Sequence, residues 1–253
     1  TTASQQIYPA VSSDGAGQFV VAWSSFIGGQ TSFDLFAQRY SLSSLVPAAP
    51  FISALSSTRL SVTWPDAASG AVSGYELYVD NGSEPIVLTS NMATLPSLAP
   101  STTHTVKLAY RFAGGGRSAL SAVAVGTTWG GDENLDGLPD DWQSGFWGSD
   151  LSKWPDPKTD SDGDGASNLL EFLAGTNPMN AASVLRTRLV STPQGSFLNW
   201  NTQFGFIYQV QSKTDLSLEW VDQGLPRFAA GATDSLLLDG ATSSVYYRVK
   251  RLR

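Results

Sequence analysis

"DPKTDSDGDGASNLLEFLAGTNP", residues 156–178, passes from acidic to apolar within a few positions. Counted from Asp160, side-chain oxygens fall at positions 1, 3 and 5 as Asp160, Asp162 and Asp164, with Gly165 at position 6. Alternate residues of a curled loop turn their oxygens inward, and a glycine at the sixth position takes the sharp turn. Ala166 at position 7 offers a backbone carbonyl, and Asn168 at position 9 binds directly or through water. Glu171 at position 12 comes from the first turn of a following helix, placed to chelate with both oxygens. "SNLLEFLA" (167–174) makes that helix, anchored by Leu169, Leu170 and Phe172, and Gly175 and Pro178 stop it.

A second copy stands upstream in "DENLDGLPDDWQ", 132–143. Asp132, Asn134 and Asp136 take positions 1, 3 and 5, Gly137 position 6, Leu138 the carbonyl position 7 and Asp140 position 9. Position 12 is Gln143, a neutral amide that cannot supply a charged bidentate pair. Binding here is therefore weaker, or a neighbouring carboxylate, Asp141 or Asp156, takes its place. Both stretches follow the EF-hand-type loop pattern. Hard oxygen donors without His or Cys favour calcium over zinc or copper, and the high ligand count favours it over magnesium. Two calcium ions are expected. A merely solvated acidic turn explains neither the paired glycines nor Glu171.

No good entering helix precedes either loop, so these are loop–helix units. The pair resembles the tandem calcium loops of dockerin-like and thrombospondin type 3-like segments. Its wording is typical of bacterial secreted multidomain proteins, which implies an extracellular or cell-surface setting. Sensor hands expose Met-rich grooves on opening, whereas this chain has two Met. A structural role follows: calcium neutralises the cluster and fixes a short module between two sandwiches.

Charge agrees with that reading. Half of the 22 acidic residues lie between Asp132 and Glu171, against Lys153 and Lys158 alone, although the whole chain carries only −7. Packed like charge repels unless a cation or solvent screens it. Nucleic acid is excluded as a partner, since phosphate binding needs clustered Lys and Arg. A 253-residue chain with 42% hydrophobic residues and eight Trp can build packed cores, so disorder is excluded. Without Cys there is no disulfide framework or thiol chemistry. No apolar run reaches the ~20 residues that cross a bilayer, so no membrane insertion is expected. The absence of Met at residue 1 reads as a processed or cut end.

Around the acidic region the chain is expected to be mainly β, with tandem fibronectin-like β-sandwiches separated by the small loop–helix module. Residues 1–46 ("GQFVVAWSSF", "DLFAQRYSL") read as two strands and a hairpin connection. They resemble one unit of a repeat found in large bacterial surface proteins. So short a sheet needs help to be stable, which implies a longer parent or pairing with a neighbouring molecule. After the Pro-rich junction "VPAAP" (46–50), residues 47–128 carry strand signals spaced as in an antiparallel sandwich. They resemble a fibronectin type III domain, with Trp64 at the buried strand-B position and "GYELYV" as strand C. That family usually has a Tyr where this chain has His104. Residues 129–183 hold the two loops, and 184–253 read as a second fibronectin-like sandwich.

Catalysis finds little support. A glycosidase needs two carboxylates facing each other across a cleft, and the plausible pairs are the loop ligands. His104 is the only His and has no nucleophile motif beside it. "FAGGGRSA" (112–119) has the glycines of a phosphate loop but no Lys-Ser/Thr, and fits a hairpin turn. Trp142, Trp147, Trp154, Trp200 and Trp220 fit core filling better than sugar stacking. The expected protein is thus a non-enzymatic structural or adhesive module. Its partner would be a protein, as a homo-oligomer or filament built by strand addition. The alternative is a glycan-binding or spacer region of a larger secreted polysaccharide-active enzyme. Cohesin binding needs two full recognition helices, and "PDDWQSGFWG" is too short for one.

Overall fold

The computed structural model describes residues 5–13, 18–26, 33–41, 45–67, 72–238 and 245–253. The chain is mainly β, and its small sheets form β-sandwich-like domains. It divides into two compact units that interleave in sequence: 1–49, 67–90 and 106–123 in one, 50–66, 91–105 and 124–253 in the other.

In the first unit, β1 (Gln5–Ser13), β2 (Gln18–Phe26) and β3 (Phe33–Ser41) form one antiparallel sheet in that order. The sequence reading expected two strands here. "QQIYPAVSS" adds the third, with a register shift between Ile7 and Ala10 that its broken alternation concealed. Tyr8, Val11 and Leu35 stand exposed on this sheet. The same unit holds β6 (Val72–Val79) and β7 (Ile86–Leu88), paired Tyr75 to Leu88, and most of β9 (Thr103–Phe112) on the other side of β6. The 112–119 glycines make a hairpin turn, with Phe112 N–H on the Gly116 carbonyl and Gly115 in a left-handed conformation.

In the second unit, β4 (Phe51–Ser56), β5 (Arg59–Thr63) and β8 (Met92–Leu95) form an antiparallel sheet, and β10 (Ala124–Thr127) runs beside β4. Alternation in "RLSVTW" buries Leu60, Val62 and Trp64 to 1% exposure or less. At the corner after β8, Thr102 and Thr128 each donate a hydroxyl to the Ala99 carbonyl (2.6 and 2.7 Å), and His104 Nε2 lies 2.9 Å from Thr102 Oγ1.

Six further strands complete a sandwich: β11 (Thr187–Thr192), β12 (Gly195–Asn201) and β15 (Thr233–Leu238) against β13 (Ile207–Lys213), β14 (Val221–Phe228) and β16 (Tyr246–Arg251). Its core is Leu198, Trp200, Phe206, Tyr208, Val210 and Ala229, with Phe51 of β4 packed on it. A bidentate pair joins the two sheets: Arg227 Nε and Nη2 donate to Asp234 at 2.6 and 2.7 Å. Between β10 and β11 lie α1 (Asp140–Trp147), a 3-10 turn (Leu151–Lys153) and α2 (Asn168–Ala174). No helix among the described residues is long and apolar enough to cross a membrane.

Candidate metal centre

Both acidic segments fold into the same backbone device. In the first loop, Asp132 accepts the N–H groups of Asp136 (3.1 Å) and Gly137 (2.9 Å), and Asp136 accepts that of Leu138 (2.8 Å). In the second, Asp160 accepts Gly163 (2.8 Å), Asp164 (3.2 Å) and Gly165 (2.8 Å), and Asp164 accepts Ala166 (2.7 Å). Each loop closes by a bond from its ninth residue to the residue before its first: Asp140 N–H to Gly131 O at 2.9 Å, Asn168 N–H to Thr159 O at 2.8 Å. Gly137 and Gly165 sit at φ +93° and +98°, where a side chain is strained. The spacing of Asp and Gly thus dictates a curl in which both oxygens of the first Asp bind backbone, while in the second loop one oxygen each of Asp162 and Asp164 accepts a backbone N–H and the other has no donor.

In the second loop those donorless oxygens are buried. Carboxylate oxygens of Asp160, Asp162 and Asp164 lie within 4.8 Å of one another. Asn168 and Glu171 are fully buried, 0% exposed. Oδ2 of Asp162 and of Asp164, Oδ1 of Asn168 and Oε2 of Glu171 are shielded from solvent and accept no hydrogen bond. Burial, followed by the charges of Asp162 and Asp164, pushes the Glu171 carboxyl up to about 7, although Thr176 Oγ1 donates to Oε1 at 3.3 Å. At the solvent end, the N–H of Gly165, helped by those of Gly163 and Asp164, holds Asp160 below the usual carboxylate range. Buried oxygens that find no donor are unfavourable. The converging carboxylates of Asp160, Asp162 and Asp164, with the donorless oxygens of Asn168 and Glu171 in the same loop, are the hard oxygen donors that calcium takes.

The first loop closes on itself. Gln143 is fully buried, and its Nε2 donates to Asp136 Oδ2 at 2.8 Å, the oxygen that also takes Asn134 Nδ2 at 2.9 Å. The equivalent oxygen of the second loop is Asp164 Oδ2, which has no donor. Gln143 Oε1 and Asp140 Oδ1 remain buried and unpaired, so part of a cage persists. Among the described residues no trio of carboxylates converges here. Both substitutes named in the sequence make hydrogen bonds to backbone N–H groups. Asp141 turns to Gly130 N–H (2.8 Å), and Asp156 caps its own turn at Lys158 N–H (2.8 Å) while its carbonyl takes the Asn168 amide.

The loops are also tied to their surroundings by packing and by distant side chains. Leu138, Trp142 and Phe172 form a core shared by both helices, with Trp129, Phe146, Trp147 and Leu169 around it. Arg186 Nη2 donates to the Asp164 carbonyl at 2.7 Å. Gly175 ends α2 at φ +75°, and a Cβ there would strike Phe206 and the Arg251 guanidinium. Arg253 Nη2 reaches the Leu55 carbonyl (2.7 Å), its guanidinium 5.1 Å from the Phe172 ring centre. Thr176 has a local signal, five residues after Glu171. Arg186, Arg251 and Arg253 have none, because their partners come from distant strands. The tryptophans are built into the structure: Trp142 and Trp200 are buried, Trp154 donates to Gly148 O at 2.7 Å, and Trp220 lies under Lys213 and Arg248.

No family model matches the chain, and no curated protein matches it. Solved structures similar to part of it include a fibronectin type III domain of human fibronectin type III domain containing protein 3, at 21% identity and a TM-score of 0.32. That likeness covers 39% of this chain and 97% of the other. The fibronectin type III domain of human contactin 1 is 17% identical over 42% of this chain and 96% of its own, TM-score 0.32. The family 28 exopolygalacturonase of Yersinia enterocolitica is 12% identical over 38% of this chain and 23% of its own, TM-score 0.32. The sandwich character of the chain rests on its own sheets and cores.

Proposed function

We propose that the chain is a non-catalytic, extracellular structural module rigidified by calcium. The tight site is Asp160, Asp162, Asp164, the Ala166 carbonyl, Asn168 and Glu171. The weak one is Asp132, Asn134, Asp136, the Leu138 carbonyl, Asp140 and Gln143. The observation that carries this reading is the set of four buried oxygens in the second loop, from Asp162, Asp164, Asn168 and Glu171, that accept no hydrogen bond. Buried like charges at this density destabilise the helix that bears Glu171 unless a cation neutralises them. Since α2 packs toward β16 and Arg186 grips the Asp164 carbonyl, ordering the loop also orders its junction with the last sandwich. A second copy of the chain is the proposed partner, added along β1 or β3, where Tyr8 and Leu35 are 80% and 79% exposed.

Calorimetric titration with calcium, paired with melts in calcium and in chelator, tests the reading. One tight and one weaker ion are expected. At free calcium a thousandfold above the dissociation constant, a single site adds about 4 kcal/mol, or roughly 8–16 °C in melting midpoint for a chain of this size. A chain whose heats and melts ignore calcium would falsify the proposal. Light scattering with calcium and then chelator tests assembly separately, and a monomer in both conditions removes the second copy.

A further inference from the structure

We propose that a cavity beside α1 and α2 binds a carboxylate-bearing sugar residue. The cavity measures about 500 Å³ and is lined by Trp129, Trp142, Phe146 and Phe172 on one side and by Phe206 and Arg251 on another. That volume lies within the range of small-ligand sites, which are mostly apolar with a few placed polar groups. Of the tryptophans weighed for sugar stacking in the sequence, Trp142 lines this cavity, whereas Trp200 is sealed in a core and Trp220 is covered by cations.

Arg251 chooses the ligand's charge. Its guanidinium lies 3.4 Å from the Phe206 ring centre, and Nη2 donates to Ser53 Oγ at 2.8 Å. Among the described residues no carboxylate stands within ion-pair distance of it. A guanidinium withdrawn from water without a counterion is unfavourable, and its planar fork suits two parallel bonds to a carboxylate. Burial and the neighbouring Arg253 charge depress its pKa to about 10, in keeping with a missing anion.

The rest of the wall chooses the ligand's body. Trp129 and Phe146, half-buried where Trp142, Phe172 and Phe206 belong to cores, offer flat apolar area to the C–H side of a pyranose ring. Asp141 lines the same cavity, and with its two oxygens engaged by Gly130 and Trp142 N–H groups it keeps lone pairs to accept a hydroxyl. A neutral sugar leaves Arg251 without an anion. A simple carboxylate leaves the aromatic faces and Asp141 unused. An acidic sugar meets all three.

The test is titration of the full chain, in calcium-containing buffer, with sodium glucuronate, glucose and sodium acetate, read by tryptophan fluorescence and saturation-transfer NMR. Glucuronate should bind at least tenfold more tightly than glucose or acetate. Arg251→Gln should weaken glucuronate at least tenfold. Because that change also removes the Ser53 bond, a second variant acts from the opposite wall. Gly145 of α1 lines the cavity, and a Cβ there meets nothing within 4 Å, so Gly145→Met obstructs the space without disturbing the helix. It should lower glucuronate affinity at least tenfold while leaving the melt unchanged. Equal binding of glucuronate and glucose, acetate competing as well as glucuronate, or full binding by Gly145→Met would each overturn the assignment.

Discussion

The two acidic loops share a backbone and differ in what fills them. In 160–171 four side-chain oxygens are buried with no donor, while in 132–143 the Gln143 amide already occupies the oxygen that its counterpart leaves free. The curl therefore does not depend on the ligand set: Asp at position 1 and Gly at position 6 form it in both. Positions 3 and 12 together set whether the position-5 oxygen is taken by protein amides, as by Asn134 and Gln143, or left without a donor. A second difference lies at position 4, left-handed in both loops. The second loop has Gly163 there (φ +81°), whereas the first forces Leu135 to φ +55° with its side chain 86% exposed. Positions 3, 4, 9 and 12 thus carry different side chains on the same backbone curl.

The sharpest way to break this comparison is to give the second loop the first loop's residue. Glu171→Gln should lower calcium affinity about tenfold to hundredfold, the size of one charged contact. Without calcium the same variant should melt higher than the wild type, because it removes a buried charge facing Asp162 and Asp164. A lower midpoint in chelator would show that the cluster is not held apart by charge. The reciprocal change, Gln143→Glu, should turn the weak site into a second tight one, with about a tenfold gain in affinity and a loss of stability in chelator. Calorimetry that finds two equal tight sites in the unaltered chain would show that Gln143 does not weaken its loop. The smallest effect concerns backbone alone. Leu135→Gly should stabilise the chain by roughly 0.5–1 kcal/mol, since a left-handed non-glycine residue is relieved. Gly163→Ala should destabilise by a similar amount in urea melts.

Much of the site was legible because it is local. Ligand positions, both glycines, the α2 helix and its Gly175 stop all fall within one short stretch, where spacing alone sets geometry. The β-rich class was legible too, from alternation such as that which buries Leu60, Val62 and Trp64. The first strand was harder, because its register shift near Tyr8 breaks the period on which strand recognition relies. For Asp141 and Asp156, nearness in sequence does not reveal the hydrogen bonds they accept from the Gly130 and Lys158 N–H groups.

What the residue order determined about this protein is the chemistry of its loops: oxygen-only side chains at alternate positions, a carboxylate at the twelfth position of the second and an amide there in the first. Only the tertiary structure decided which of those oxygens lack donors, and that Arg186, Arg251 and Arg253 meet the loop, Ser53 and Leu55. Those contacts join residues up to 198 positions apart, and such long-range packing leaves no periodic or compositional trace in a single sequence.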